Sequence, residues 1–302
     1  DKLNARGGDA NGLSRYVALA HTEGCGSRGG EALYLQTLLG HLEHRFVRHG
    51  VMLEHGCEYT HNDAVRHYLV GRGLPAERFG WASIQMDGGL EKVTDKVIAL
   101  FDDALAGQAP PVPESVGLGE LRLGLTATGA LPAEQALVMA RLAQAVLSAG
   151  GTVVIPANAA FSRSQSFKSG LLQQPDDWTA TLGYGQPADK PGLHVMESPT
   201  ENSVETFTGL GATGVEVMLA HVGLAPLQAH PMVPLVQVSG LERVVQIFGA
   251  DLDAALSGSV EDAVGQALGL VAQTASRAYT PKLYGQGNTD FQLTRGLLGL
   301  SM

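Results

Sequence analysis

Only two cysteines occur in the 302 residues, so there is neither a disulfide framework nor a paired Cys-x-x-Cys unit of the kind a zinc finger needs. Basic residues are scarce as well. The balance of 20 Lys and Arg against 30 Asp and Glu gives a formal net charge of −10, which argues against nucleic acid or an anionic membrane as partner. No apolar run reaches the roughly 18 residues of a membrane-spanning helix, and no signal-peptide pattern is visible. With so few thiols, a reducing, cytoplasmic setting is expected. No Gly-x-Gly-x-x-Gly follows a first strand and no Walker loop occurs, which makes a nucleotide enzyme an unfavoured reading.

Glycine is abundant. The 39 glycines, with 44% hydrophobic and 17% charged residues, fit an α/β chain with many strand-to-loop turns rather than a helical bundle. The segment 107–119 (Gly-Gln-Ala-Pro-Pro-Val-Pro-Glu-Ser-Val-Gly-Leu-Gly) reads as a linker, since its clustered prolines resist both helix and central strand. It divides the chain into a first lobe over 1–106 and a second over 120–302. In the first lobe, apolar runs predict strands at 15–20, 50–54 and 80–85, with helices near 29–46, 61–72 and 88–106. In the second lobe, strands are expected at 121–125, 152–155, 192–196, 215–220 and 233–238. Helices are expected at 132–148, 201–212 and 259–275. Strands alternating with helices of this length imply an α/β fold of mainly parallel sheets flanked by helices, with ligands outside the carboxyl ends of the strands.

Both cysteines sit where such ends are expected. His21-Thr22-Glu23-Gly24-Cys25-Gly26 follows one apolar run, and His55-Gly56-Cys57-Glu58 follows the next. A thiolate, an imidazole and a carboxylate on one turn suit a divalent metal, or a nucleophile with its base. A Cys25–Cys57 disulfide, or a small thiol buried in a tight turn, is the plainer alternative. Gln85 with Gly88-Gly89 forms a third loop at the same edge. His61 and Asp63 fall at a helix start, with Thr60 or Asn62 available as its cap. His41, His44 and His49, set among Glu43, Arg45 and Arg48, read as a solvated helix face. The Gly- and Thr-rich run Thr206 to Gly214, with Thr208, Gly209 and Gly211, suits close backbone approach to an anion.

In this order, His21 to Gly26, Gly56-Cys57-Glu58, and Ile84-Gln85 with Gly88-Gly89 resemble the landmarks of the altronate and galactarate dehydratases, a group that includes sulfolactate sulfo-lyase. Later segments keep the order: Ala149-Gly150-Gly151-Thr152-Val153-Val154, then Gly192-Leu193-His194-Val195-Met196-Glu197-Ser198-Pro199, then Thr206 to Gly214. The resemblance covers nearly the whole chain. It implies a metal-assisted hydro-lyase that dehydrates a hexonate or hexarate to a 2-keto-3-deoxy acid. By the same resemblance, His21, Cys25, Cys57 and Glu58 are the acid/base groups or ligands. His21, Cys25 and Cys57 would hold a divalent metal, iron first, with manganese or zinc as alternatives. Gln85, Thr208, Gly209, Gly211 and His221 would contact substrate. A homo-oligomer, or a separate subunit of the small N-terminal type found in longer members, is the implied partner.

The second lobe departs from that pattern. Ala220-His221-Val222-Gly223-Leu224 stands where the family has an arginine-bearing Thr-Thr-Gly-Arg-Gly-Thr loop. Thr126-Ala127-Thr128-Gly129 stands in place of Gly-Gly-Ser-Asp, and Pro156-Ala157-Asn158 in place of acidic residues. Two further readings therefore stand beside the dehydratase. One is a related lyase or hydrolase on another small carboxylate, with His221 and Arg163 serving the altered pocket. The other is a catalytically silent subunit that keeps the fold.

Overall fold

β-Branched and aliphatic runs bounded by glycine build the larger sheet. A computed structural model describes residues 2–6, 12–21, 30–171 and 178–294, and in these the fold is α/β with parallel sheets flanked by helices. The strands β3 (Arg122–Gly129), β4 (Thr152–Pro156), β5 (Gly192–Met196), β6 (Val217–Gly223), β7 (Leu235–Ser239) and β8 (Ala254–Ala255) form one sheet. Their order is β5-β4-β3-β6-β7-β8, with every pair parallel. The chain leaves β3 in one direction across the sheet and returns to pair β6 on its other side, so the strand order reverses between β3 and β6.

Both faces of this sheet are covered, which is why its strands read as near-continuous apolar runs. Leu123, Leu125, Val217, Leu219 and Val236 pack on one face. There they meet α4 (Ala133–Ser148), which contributes Met139, Ala140 and Ala143, and α8 (Val260–Ala275), which contributes Ala267 and Val271. The opposite face carries Val154, Met218, Ala220 and Leu235, packed on Phe207 and Leu210 of α6 (Ser203–Ala212) and on the Tyr184 ring. α5 (Gln165–Gly170), α7 (Glu242–Phe248) and α9 (Lys282–Gly285) are short elements that the apolar periodicity did not single out.

The first-lobe sheet is smaller. β1 (Val51–Glu54) and β2 (Gly80–Ser83) pair in parallel, from Val51 opposite Gly80 to Glu54 opposite Ser83. Around them lie α1 (Glu31–Leu42), α2 (Asn62–Gly71) and α3 (Leu90–Leu105). The strand expected at 15–20 is not formed. That segment is extended but makes no ladder bonds with β1, whose second edge is unpaired among the described residues. Its backbone is engaged elsewhere: Asn4 Nδ2 donates to Tyr16 O at 2.9 Å, and Tyr16 N donates to Asn4 Oδ1 at 2.8 Å. Leu19 and Met52 both pack against Leu38, Phe291 and Leu293. A groove of about 1200 Å³ separates the segment from β1 and α3.

The two lobes interleave. α1 packs on α6, and Gly40 permits the close approach, because a Cβ there would overlap the Ala212 carbonyl oxygen. The first-lobe residue Arg45 also pairs with Glu216 at 3.2 Å. This crossing corrects the reading of the α1 histidines as a solvated face. His41 and His44 are buried and His49 is half-buried. The charged neighbours Glu43 and Arg45, past the end of the helix, take the solvent exposure that the histidines were expected to have, whereas Arg48 is half-buried like His49. Among the described residues, no helix is long and apolar enough to cross a membrane.

Candidate functional site

The carboxyl ends of β1 and β2 bring together an imidazole, a thiol, a side-chain amide and several carboxylates. β1 ends at Glu54, and the chain turns through His55, Gly56, Cys57 and Glu58. Gly56 has φ 114, a conformation open to glycine. A side chain there would also meet Gln85 Cβ at 2.9 Å and Ser83 Oγ at 3.1 Å. Glycine at this position therefore folds the turn tightly against the end of β2. His55 and Cys57, two residues apart, come together with Cys57 Sγ 3.3 Å from His55 Nδ1. Gln85, from the loop after β2, places its Nε2 3.4 Å from the same nitrogen. The Gln85 amide nitrogen can only donate and the Cys57 thiol can donate, so Nδ1 is placed to accept from either. Cys57 is exposed, so its thiol can meet solutes.

The carboxylates at this edge are tied to backbone. Glu58 Oε1 accepts a bond from His55 N, and its Oε2 accepts one from Gly56 N at 2.7 Å. Partial burial works against its ionisation, but these backbone donors prevail and hold its carboxyl below the usual range. Glu58 thus braces the turn as a fixed negative charge. Glu54 accepts from Asn62 N and so supplies the acceptor at the start of α2. That corrects the expected cap: His61 is the N-cap residue without a side-chain cap bond, and the buried Asn62 donates instead to Ala82 O at 2.9 Å. Asp87 accepts from Ser83 N and pairs with Lys96 at 2.7 Å, which fixes the third loop.

The other expected residues fall in different places. His21 sits at the end of the extended segment, its ring edge-on to Tyr34, and lines the groove together with Glu54, Glu58 and Thr60. Cys25 lies outside the described residues. Thr208, Gly209 and Gly211 lie in the helix expected over 201–212, in the buried interior of α6, so the expected close backbone approach to an anion is taken up by packed side chains. Thr208 is fully buried and its Oγ1 accepts from Gln292 N at 3.3 Å. The Cβ direction of Gly209 is filled by the Tyr184 ring, and that of Gly211 by His41 and His230. Here the small residues serve ring packing. Arg163 is exposed in the turn after β4. His221 is fully buried in β6 with no hydrogen-bond partner for either ring nitrogen, and burial lowers its pKa to about 4.

A second histidine cluster joins the lobes. His41 Nδ1 donates to Thr37 O at 2.7 Å, leaving its Nε2 as an acceptor. His230 Nδ1 accepts from Met232 N at 3.1 Å and from Val233 N at 3.0 Å, so its Nε2 carries the proton. The two Nε2 atoms meet at 3.1 Å. Both rings are therefore neutral, in complementary tautomers, and desolvation by burial pushes His41 down to about 4 and His230 well below its ordinary value. Sequence reasoning missed both this pair and the contact of His55 with Cys57. The recoverable signals were His55 two residues before Cys57 across a glycine, and Gly40 and Gly211 on helices that must cross closely.

The donor set bears on the metal that the resemblance implies. Among the described residues, no group of three or more His, Cys, Asp or Glu side chains converges. His55 Nδ1 and Cys57 Sγ are two donors, and Glu58 is committed to backbone, so the described residues do not by themselves fit a metal centre. In comparisons with known proteins, the chain matches no family model and no curated protein.

Proposed function

We propose that the chain is a carbon–oxygen lyase of the altronate/galactarate dehydratase type, removing water from a sugar acid at the carboxyl edge of β1 and β2. The observation that supports this most is the exposed thiol–imidazole pair, Cys57 Sγ at 3.3 Å from His55 Nδ1, beside the Gln85 amide. Dehydration needs a base for the proton on the carbon next to the carboxylate and an acid for the leaving hydroxyl. His55 takes the C2 proton, the C2–H electrons form the C2=C3 bond, and the C3–O bond breaks. The Cys57 thiol gives its proton to the departing oxygen, which leaves as water. The enol then tautomerises to the 2-keto-3-deoxy acid. Return of the proton from imidazolium to thiolate restores the pair across the same 3.3 Å contact. The Gln85 amide lies within reach of a substrate hydroxyl at this edge.

The same pair supports a second reading, a hydrolase in which the Cys57 thiolate attacks a small carboxylic ester and His55 holds the proton. One experiment addresses both. The full chain is incubated with a panel of hexonates and hexarates, with and without iron, manganese or zinc, and 2-keto-3-deoxy acid is assayed. Formation of product, reduced by about 10²–10⁴-fold in His55→Ala and Cys57→Ala, is the expected result. A covalent thioester at Cys57 with an activated ester, and no keto acid, would select the hydrolase. Activity indifferent to both substitutions would refute this placement of the site.

A further inference from the structure

The larger sheet reverses its strand order between β3 and β6, and open parallel sheets bind ligands outside the carboxyl ends of their strands at such a reversal. Ala127, His221 and Val238 lie side by side across β3, β6 and β7. Strand alternation puts this row on the face covered by α4 and α8, because Leu125, Leu219 and Val236 form the next row of that core. α4 begins just after β3. Its third residue, Gln135, lays its side-chain amide against Gly240, where a Cβ would overlap that amide. The Gln135 amide therefore reaches the carboxyl edge beyond β7, on the same face and at the same edge as His221, which lies two residues before the end of β6.

Hydrogen bonding singles this place out. Among the described residues four histidines are buried: His41, His44, His221 and His230. The other three have both ring nitrogens engaged, His44 by donating to Val215 O at 2.9 Å and accepting from Phe46 N at 3.1 Å. His221 is 0% exposed and has neither nitrogen bonded, and Gln135 Oε1 at the same sheet edge is likewise buried without a partner. A buried, unpaired imidazole is costly, and the fold avoids that cost at its other buried histidines. The start of α4 adds backbone donors that have no partner within the helix. It opens a 16-residue helix whose N-cap, Pro132, provides no side-chain acceptor. The one acidic side chain of that first turn, Glu134, is exposed.

We propose that the carboxyl edge at β3 and β6 binds one small oxyanion, a carboxylate or a phosphate group. His221 N–H and the first amides of α4 donate to it. The Gln135 side chain rotates off Gly240 to admit it and gives its own amide N–H. This site lies on the second-lobe sheet, apart from the β1 and β2 edge, and although the resemblance also sets His221 against substrate, the proposal rests on the unpaired burial of His221 and Gln135. A sugar-acid carboxylate and a phosphate are the two sources of that chemistry.

Imidazole resonances of the full chain test it. His221 is one of ten histidines, and its signal is assigned by its loss in His221→Gln or by through-bond correlation to its backbone. The wild-type chain is titrated with a hexarate, with inorganic phosphate, and with chloride at matched ionic strength. A saturable shift of the His221 signal with the hexarate marks a carboxylate site, and one with phosphate marks a phosphate site. Either supports the proposal, provided that chloride does not reproduce it. Gln135→Glu keeps a favourable first-turn residue on α4 but sets a carboxylate against the anion, so binding should weaken about tenfold or more. No His221 shift with either oxyanion means a polar hole holding water alone and overturns the proposal. Undiminished binding in Gln135→Glu overturns it as well.

Discussion

Gly211→Ala puts one methyl group into the contact that joins the lobes. The added Cβ would lie 2.9 Å from His41 Nε2 and 3.1 Å from His230 Nε2, inside the usual carbon–nitrogen separation. Neither ring can retreat freely. His41 is held at Nδ1 by Thr37 O, and His230 is held at Nδ1 by two backbone amides. Phe291 closes the space edge-on to both rings, with centroids at 5.1 and 5.7 Å. Overpacking a site of this kind costs about 1–3 kcal/mol. Stretching the 3.1 Å histidine–histidine bond adds about 1 kcal/mol. Against these stands a gain of about 1 kcal/mol from replacing a helical glycine by alanine. The balance is a loss of about 1–3 kcal/mol.

Gly265 provides the control. It lies inside α8, is exposed, and a Cβ there would meet nothing within 4 Å, so Gly265→Ala should stabilise by about 0.5–1 kcal/mol. Urea unfolding followed by far-ultraviolet circular dichroism reads both variants. The midpoint should fall for Gly211→Ala and rise for Gly265→Ala, with the slope unchanged in each. If Gly211→Ala were as stable as wild type or more so, the two imidazoles would not be locked in this geometry, and the account of the lobe contact would fail.

The same histidines set an acid limit. His41 is pushed down to about 4 in the folded chain, whereas it takes up a proton near 6.5 when unfolded. The unfolded state therefore binds more protons between those values, and stability falls as pH drops from about 6.5 toward 4. Urea midpoints at pH 7, 6 and 5 should decline, and the decline should be shallower in His41→Leu, which has one fewer group to protonate. A midpoint flat across that range would contradict neutral burial of the pair. At the candidate site, the exposed Cys57 thiol beside His55 should alkylate faster than an isolated thiol. With peptide mapping to resolve it from Cys25, iodoacetamide modification at pH 7 should slow roughly tenfold in His55→Ala, because the neighbouring imidazole no longer takes up the thiol proton. Equal rates would show that the imidazole does not activate the thiol.

How much of this was legible in the sequence follows from where each signal is local. β3 to β7 could be read because a buried parallel strand needs little beyond its own aliphatic run and a glycine that bounds it at one end or the other. The segment 15–20 carries the same kind of run, but forming a strand also requires a partner edge, and the Asn4 side chain takes the backbone of Tyr16 instead. Burial of His41 and His44 is likewise a long-range property. Along α1 and just beyond it, Thr37, Gly40, His41 and His44 recur at helical spacing on the side that meets α6, yet in sequence they are interleaved with Glu43, Arg45 and Arg48. Reading the charges along the chain, rather than the helical face, produced the wrong environment. The glycines of α6 show the same ambiguity from the other side. A residue without a side chain admits either an anion or a neighbouring ring, and only the positions of Tyr184, His41 and His230 decide for the ring. The pairing of His55 with Cys57 was within reach, since a glycine between two functional side chains at a strand end is a local device for turning both the same way.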